Sequence, residues 1–205
     1  MRIYLVTDEG LLLGKDLYRT VEAAVKGGVS MVQLREKESS TREFVERAIR
    51  LKEVLTPYGV PLIINDRVDV ALAANADGVH VGQSDMPYEM VKRLLPEGKM
   101  IGLSVESPEQ VLEANDYDLD YVAASPVFST TTKTNTIVEW GLDGLRWIRS
   151  VSRHPLVAIG GIHSNNVASI CKAGADSVAV ISAIVSADDP ERAARELLEK
   201  SGELH

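Results

Sequence analysis

LIINDRVDVALAANADGVHVGQSD, residues 62–85, contains two short apolar runs with a helical pattern between them. The first run fills a strand over Pro61 to Ile64 and stops at Asn65-Asp66. Val68 to Ala74 then places apolar residues at helical spacing. A second buried strand, about Gly78 to Val81, ends beside His80 and Asp85. Apolar residues fill each strand, and chemistry appears at its C-terminal end.

The same beat runs through the whole chain. The other strands read IYLVTD (3–8), MVQLRE (31–36), MIGLSV (100–105), YVAAS (121–125), LVAIGG (156–161) and SVAVIS (177–182). Their ends carry Thr7-Asp8, Gln33/Arg35/Lys37, Ser104, Ser125, Gly160-Gly161 and Ser182. Amphipathic helices are predicted between them. They start from Asp16, at Ser39-Ser40-Thr41, at Pro87, at Ser107-Pro108, about Leu142, at Ser164 and at Pro190. Eight strands alternating with helices predict a single (β/α)8 TIM barrel over residues 1–205, with its active site at the C-terminal face of the strands. Weak repetition supports the phasing: Asn75-Ala76-Asp77-Gly78 resembles Gly174-Ala175-Asp176-Ser177. A solenoid would need more regular repeats, and here the polar residues gather at one end only.

With 205 residues the chain is near the short end for such a barrel, so most loops must be short. The composition, 45% hydrophobic and 25% charged, is that of a soluble globular protein. A net charge of −8 opposes nucleic acid and anionic membranes as partners, but a local basic cluster can still hold a small phosphate ligand. No apolar run approaches the roughly 18 residues of a spanning helix, and no signal peptide precedes the first strand. A cytoplasmic setting is expected. Cys171, the only cysteine, reads as core rather than as a nucleophile. His80 reads as a hydrogen-bonded interior histidine, His163 as a helix-entry residue, and His154 and His205 as surface residues.

Several groups at the strand ends can carry chemistry. In Gln33-Leu34-Arg35-Glu36-Lys37, alternation turns Gln33, Arg35 and Lys37 to one side and Leu34 to the other. An amide, a guanidinium and an ammonium on one face form an oxyanion clamp; the other reading is a solvated strand end with a salt bridge to Glu36. Asp66 and Asp85, with Asn65, are suited to Mg2+, which takes oxygen ligands and bridges to phosphates. Each carboxylate has a second reading as a helix N-cap. The long connection Ser125 to Trp140 contains Ser129-Thr130-Thr131-Thr132-Lys133-Thr134, whose hydroxyls and lysine suit a polyphosphate and whose length suits a lid. Gly160-Gly161 and Ile181-Ser182 suit a phosphate monoester, because glycines let backbone N–H groups approach it. Two anion sites together fit an enzyme that joins a phosphorylated nucleophile to an activated diphosphate ester.

On these residues the chain resembles the thiamine phosphate synthase family. YLVTD (4–8), QLREK (33–37), residues 63–85, GLSVES (102–107), ASPVFSTTTKT (124–134), GLDGLRWI (141–148), AIGGI (158–162) and AVIS (179–182) are similar to that family's blocks, in order and over essentially the whole chain. The resemblance implies a transferase that joins hydroxymethylpyrimidine diphosphate to hydroxyethylthiazole phosphate with Mg2+, releasing diphosphate. It implies that Gln33, Arg35, Lys37, Asn65 and Lys133 bind the pyrimidine diphosphate, with Leu34 and Glu36 part of the same binding run. Asp66 and Asp85 would hold the metal, and Ser104 would contact the pyrimidine. Thr130, Thr132, Gly161, Ile181 and Ser182 would seat the thiazole phosphate. Arg35, Lys37, Ser104 and Lys133 are the expected catalytic groups. The partners implied are small molecules, and a homo-oligomer is left open. Two places depart from the family's pattern: Asn75 stands where Gly is common, and Asn135 to Trp140 is unlike the usual Pro-containing lid. Two rivals remain. One is a related thiazole tautomerase, whose catalytic histidine would stand where this chain has Pro126. The other is a non-catalytic thiazole-phosphate-binding protein.

Overall fold

Eight parallel strands close on themselves in sequence order, each hydrogen-bonded to the next and the eighth to the first. The computed structural model describes residues 2–129 and 139–202. The strands are β1 (Arg2–Val6), β2 (Val29–Leu34), β3 (Leu62–Asn65), β4 (Gly78–Val81), β5 (Met100–Val105), β6 (Tyr121–Ala124), β7 (Leu156–Ile159) and β8 (Ser177–Val180). The helices are α1 (Leu17–Lys26), α2 (Thr41–Leu55), α3 (Val68–Ala73), α4 (Tyr88–Leu94), α5 (Pro108–Ala114), α6 (Gly141–Val151), α7 (Val167–Lys172), α8 (Ser182–Val185) and α9 (Pro190–Lys200). This is the expected (β/α)8 TIM barrel. No helix among the described residues is long and apolar enough to cross a membrane.

Side-chain alternation divides the apolar residues into two layers. Ile3, Leu5, Val32, Leu34, Leu62 and Ile64 point outward and pack under the helices, where α1 adds Val21 and Ala24 and α2 adds Phe44, Ala48 and Leu51. Tyr4, Val6, Ile63, Tyr121, Val157 and Ala179 point inward and fill the barrel. Both layers are buried, and each fully buried Leu or Ile stabilises the fold by about 1.5–3 kcal/mol. Several helices begin at side-chain caps that the sequence offers. Ser40 and Glu43 form a reciprocal capping box at α2, and Ser107 accepts from the Gln110 N–H at α5. Asn75, at φ 48°, takes the left-handed turn after α3 for which a Gly is also suited.

The repeated Ala-Asp has a structural cause. Asp77 accepts the Leu62 N–H at 2.8 Å, and Asp176 accepts the Leu156 N–H at 2.8 Å. Asp120 does the same for Ile101 at 2.7 Å. Each carboxylate, standing just before its own strand, pins an N–H at the start of the preceding strand, the first in β3 and β7 and the second in β5, at the N-terminal end of the barrel.

Two features depart from the sequence reading. His154 is buried, not at the surface: its ring nitrogens meet the Ala114 carbonyl at 2.8 Å and the Leu119 carbonyl at 3.1 Å, beneath the end of α5. Helix α8 is an extra turn after β8, too short to show a period, where the sequence reading places no element before the helix at Pro190. Cys171 is half-buried against the core, and burial raises its thiol pKa, in keeping with an inert role.

Gly102 lies across from Tyr121 in the β5–β6 register, and a Cβ there would fall within the Tyr121 ring. Gly102→Ala is therefore expected to destabilise the protein by about 1–3 kcal/mol through overpacking. Denaturant unfolding measures this, and an unchanged midpoint would show that the Tyr121 ring is not wedged against that glycine.

Candidate active site

The C-terminal ends of the strands surround one cavity of about 750 Å3. Its wall is built by strand parity. In β2 the inward positions place Gln33 in the barrel and carry Arg35 and Lys37 to the rim, while Leu34 lies in the outer layer. Inward positions of β3, β4 and β5 add Asn65, His80 and Ser104. The loops after β3 and β4 add Asp66 and Asp85, and the turns after β7 and β8 add Gly161, Ile181 and Ser182.

The cationic clamp is held from behind. Thr7 Oγ1 accepts the Arg35 N–H at 3.1 Å, and Asp8 Oδ2 receives Arg35 Nη1 at 2.7 Å. The partner of Arg35 is thus Asp8, at the end of β1, rather than Glu36. Lys37 Nζ donates to Asp66 Oδ2 at 2.6 Å. Asp66 sits in the left-handed region at φ 60°, its N–H donating to the His80 carbonyl at 2.8 Å. A non-glycine residue there is uncommon and is often found at functional turns.

Neither acidic residue is a helix cap. Asp85 Oδ2 accepts the Gly82 N–H at 2.8 Å, and α3 and α4 begin without a side-chain cap. Burial pushes the Asp85 carboxyl up, and the neighbouring Asp66 charge adds to this; the Gly82 N–H and Lys37 oppose it. Two mutually repelling carboxylates at the mouth of one cavity fit a divalent cation, which relieves both. Among the described residues no group of three or more His, Cys, Asp or Glu is placed to hold a metal ion. The two carboxylates fit Mg2+, which uses one or two carboxylates and completes its shell with water and phosphate.

Glu36 and Leu34 do not line the cavity. Glu36 is turned away, accepting from Ser39 Oγ at 2.6 Å and pairing with Arg47, which also pairs with Glu9. Burial pushes its carboxyl up to about 7, with Ser39 opposing and Glu9 reinforcing the rise. Glu36 thus anchors the clamp loop from its far side. Because its folded pKa lies above the unfolded value, the stability it contributes is complete at acid pH and lost as pH rises through about 7. Glu36→Gln, which fixes the uncharged form, should raise the melting temperature relative to the native protein at pH 8 more than at pH 5. Equal differences at both pH values would show that Glu36 does not titrate in this range.

On the opposite side, Gly160 and Gly161 turn with φ of 103° and 64°. A Cβ on Gly161 would lie 2.8 Å from both Phe128 Cβ and the Ser129 carbonyl oxygen, so the loop after β6 can lie directly on this turn only if it is glycine. His163 enters the segment before α7, its N–H donating to Asn166 Oδ1 at 2.9 Å, and it also lines the cavity. Thr130, Thr132 and Lys133 lie outside the described residues. The flanks of their segment are anchored beside one another: the Trp140 N–H donates to the Pro126 carbonyl at 3.0 Å, and Gly141 N–H to that of Val127 at 2.9 Å.

The sequence reading did not identify the floor. Tyr4 and Tyr121 line or underlie it, and Gln83 Nε2 donates to the Ser104 carbonyl at 2.6 Å. The available signal was two tyrosines at inward positions of otherwise aliphatic strands.

Comparisons with known proteins agree with this geometry. The family profile described as Thiamine monophosphate synthase matches residues 3–184. The thiamine-phosphate synthase of Albidiferax ferrireducens is 53% identical over 190 residues, covering 93% of this chain and 87% of that protein. That of Chloroflexus aurantiacus is 50% identical over 196 residues, covering 96% and 90%. The solved thiamine phosphate pyrophosphorylase from Pyrococcus furiosus superposes with a TM-score of 0.90 at 40% identity, covering 98% of this chain and 96% of the other. With a profile spanning most of the barrel and relatives matched along nearly their whole length, the chain belongs to the thiamine monophosphate synthase family.

Proposed function

We propose that this chain is a transferase that joins 4-amino-2-methyl-5-hydroxymethylpyrimidine diphosphate to hydroxyethylthiazole phosphate, giving thiamine phosphate and diphosphate. The observation that supports this reading is one cavity lined by Arg35, Lys37, Asp66 and Asp85 on one side and by Gly161, Ile181 and Ser182 on the other, two sides suited to a metal-bound diphosphate and a phosphate monoester.

The bond that breaks joins the pyrimidine methylene carbon to the diphosphate oxygen, which leaves with the electron pair. The bond that forms joins that carbon to the thiazole nitrogen, whose lone pair supplies the electrons. No protein nucleophile is required. Arg35 and Lys37, with Lys133 from the loop after β6, stabilise the negative charge that grows on the departing diphosphate. Asn65 and Gln33 hold the pyrimidine diphosphate, and Ser104 contacts the pyrimidine. Backbone groups near Gly161 and Ser182, with Thr130 and Thr132, seat the thiazole phosphate and so bring its nitrogen to the reacting carbon. Asp66 and Asp85 would hold Mg2+. When bound, that ion supplies charge neutralisation on the diphosphate.

The tautomerase reading is not favoured, because Pro126 lines the cavity where a catalytic histidine would be needed. A purely binding protein has no use for a cationic clamp and paired carboxylates. Mixing both substrates with Mg2+ should yield thiamine phosphate and diphosphate in equal amounts. Isomerisation of a thiazole phosphate without diphosphate release would overturn the assignment.

A further inference from the structure

A continuous chain of hydrogen bonds crosses the barrel interior from β2 to β5. Gln33 Nε2 donates to Tyr4 Oη at 2.7 Å. The Tyr4 and Tyr121 hydroxyls are 2.9 Å apart, Tyr121 Oη is 3.1 Å from His80 Nδ1, and His80 Nε2 is 2.9 Å from Ser104 Oγ. All five residues are buried.

The direction of every bond follows from the first, once each buried proton is required to find an acceptor within the chain. An amide nitrogen only donates, and a phenol has one proton. Tyr4, having accepted from Gln33, gives its proton to Tyr121. Tyr121 gives its own to His80 Nδ1. A neutral imidazole that accepts at Nδ1 carries its proton at Nε2, so His80 donates to Ser104. Ser104 then keeps its own proton for another acceptor, and Gln33 keeps Oε1 for another donor. Reversing the Gln33 amide would reverse every bond and exchange the two roles. Packing holds the chain in place: the Tyr121 ring stacks on His80 at 5.5 Å and meets Tyr4 edge-on at 5.8 Å. Burial pushes both phenols upward in pKa, so both keep their protons.

We propose that Tyr4, Tyr121 and His80 are positioning residues that couple the polarity of Gln33 to that of Ser104, so that the cavity presents an acceptor at one end and a donor at the other and thereby selects an aminopyrimidine over an oxopyrimidine. This rests on the reading of Gln33 and Ser104 as pyrimidine contacts. An exocyclic amine donates to Gln33 Oε1, while Ser104 donates to an acceptor atom of the same substrate. An oxo group in place of the amine is an acceptor facing an acceptor. Gln33 can adapt only by turning over, and through the chain that turn removes the donor at Ser104 as well. The oxo substrate is therefore penalised at both ends.

The test compares kcat/KM for the 4-amino pyrimidine diphosphate with inhibition by its 4-oxo analogue, in the native protein and in Tyr121→Phe and Tyr4→Phe. Either substitution breaks the coupling, so Gln33 can turn alone. The preference for amino over oxo should fall by about tenfold, the worth of one neutral hydrogen bond, while KM for the thiazole phosphate stays unchanged. A general loss of structure would lower activity without narrowing the preference. Independently, 15N NMR of the native protein should show His80 protonated at Nε2 and not at Nδ1. An unchanged preference in both variants, or an Nδ1-protonated His80, overturns the proposal. Ser104→Ala and Gln33→Glu separate it from the reading beneath it: if these are fully active, the pyrimidine contacts themselves are misassigned, whereas if they are impaired and the tyrosine variants keep their preference, only the coupling fails.

Discussion

Replacing Asp85 with Asn is expected to slow thiamine phosphate formation by on the order of 100-fold or more, the loss that accompanies removal of a main electrostatic stabiliser. The substitution is chosen for its shape. Asp85 Oδ2 accepts the Gly82 N–H at 2.8 Å, and the Asn amide oxygen can still do so, which keeps the loop after β4 in place. What disappears is one negative charge from a pair. Burial and the charge on Asp66 push the Asp85 carboxyl up, while the Gly82 N–H and Lys37 oppose the rise. Asp85→Asn would remove one of the two negative charges proposed to attract a divalent ion. The protein should therefore fold normally and bind metal weakly. Initial rates over a Mg2+ series give the kinetic effect, and Mn2+ binding followed by electron paramagnetic resonance reports on the metal without relying on turnover. Native rates together with native Mn2+ affinity would remove Asp85 from the metal site, and full activity of the native protein in excess chelator would remove the metal altogether.

Lys133→Ala should have an effect of similar size but a different character. Lys133 lies outside the described residues, in the Thr-rich segment between Pro126, which lines the cavity, and Trp140, whose N–H donates to the Pro126 carbonyl. On the proposed function, a lysine brought to the cavity from that segment would meet charge that appears only as diphosphate leaves, contributing more to the transition state than to ground-state binding. The substitution should lower kcat on the order of 100-fold. Affinity for the thiazole phosphate should hardly change if, as proposed, backbone groups around Gly161 and Ser182 hold the monoester. A tautomerase or a binding protein has no departing diphosphate and would be insensitive. Single-turnover rates and thiazole phosphate titrations of both proteins separate the two quantities. An unchanged rate would make the loop a bystander in the chemistry.

The barrel was legible because its two signals are independent of detail. Buried parallel strands are short and apolar, and polar residues at one end of every strand survive errors of a residue or two in the boundaries. Parity in a strand is equally strict, so Leu34 could be turned away from Gln33, Arg35 and Lys37, although the resemblance still counted it in the substrate-binding run. What a single strand cannot reveal is which side chain of a distant strand will answer it. The alternative reading of the Gln33–Lys37 run offered a salt bridge to Glu36, but Arg35 pairs with Asp8, brought alongside by the β1–β2 pairing. Asp66 and Asp85 fitted local N-cap patterns, yet one pairs with Lys37 and the other closes its own loop on Gly82. His154 looked exposed because nothing in its immediate sequence shows the end of α5 above it. Tyr4 and Tyr121 read as strand filling, and their polarity acquires meaning only when the barrel closes and brings the two hydroxyls within 2.9 Å.

Asp77, Asp120 and Asp176 stitch strand ends together at the face opposite the cavity. That separation has an evolutionary consequence. The carboxylates bond backbone N–H groups, which every residue except proline supplies, so this end of the molecule is indifferent to what the strands carry at their other end. Loops around the cavity can be lengthened, shortened or recharged without disturbing the stitching. A lineage can thus exchange one phosphorylated substrate for another while inheriting its thermal resilience intact, and the opposite end of the barrel becomes the reservoir from which the cost of such experiments is met.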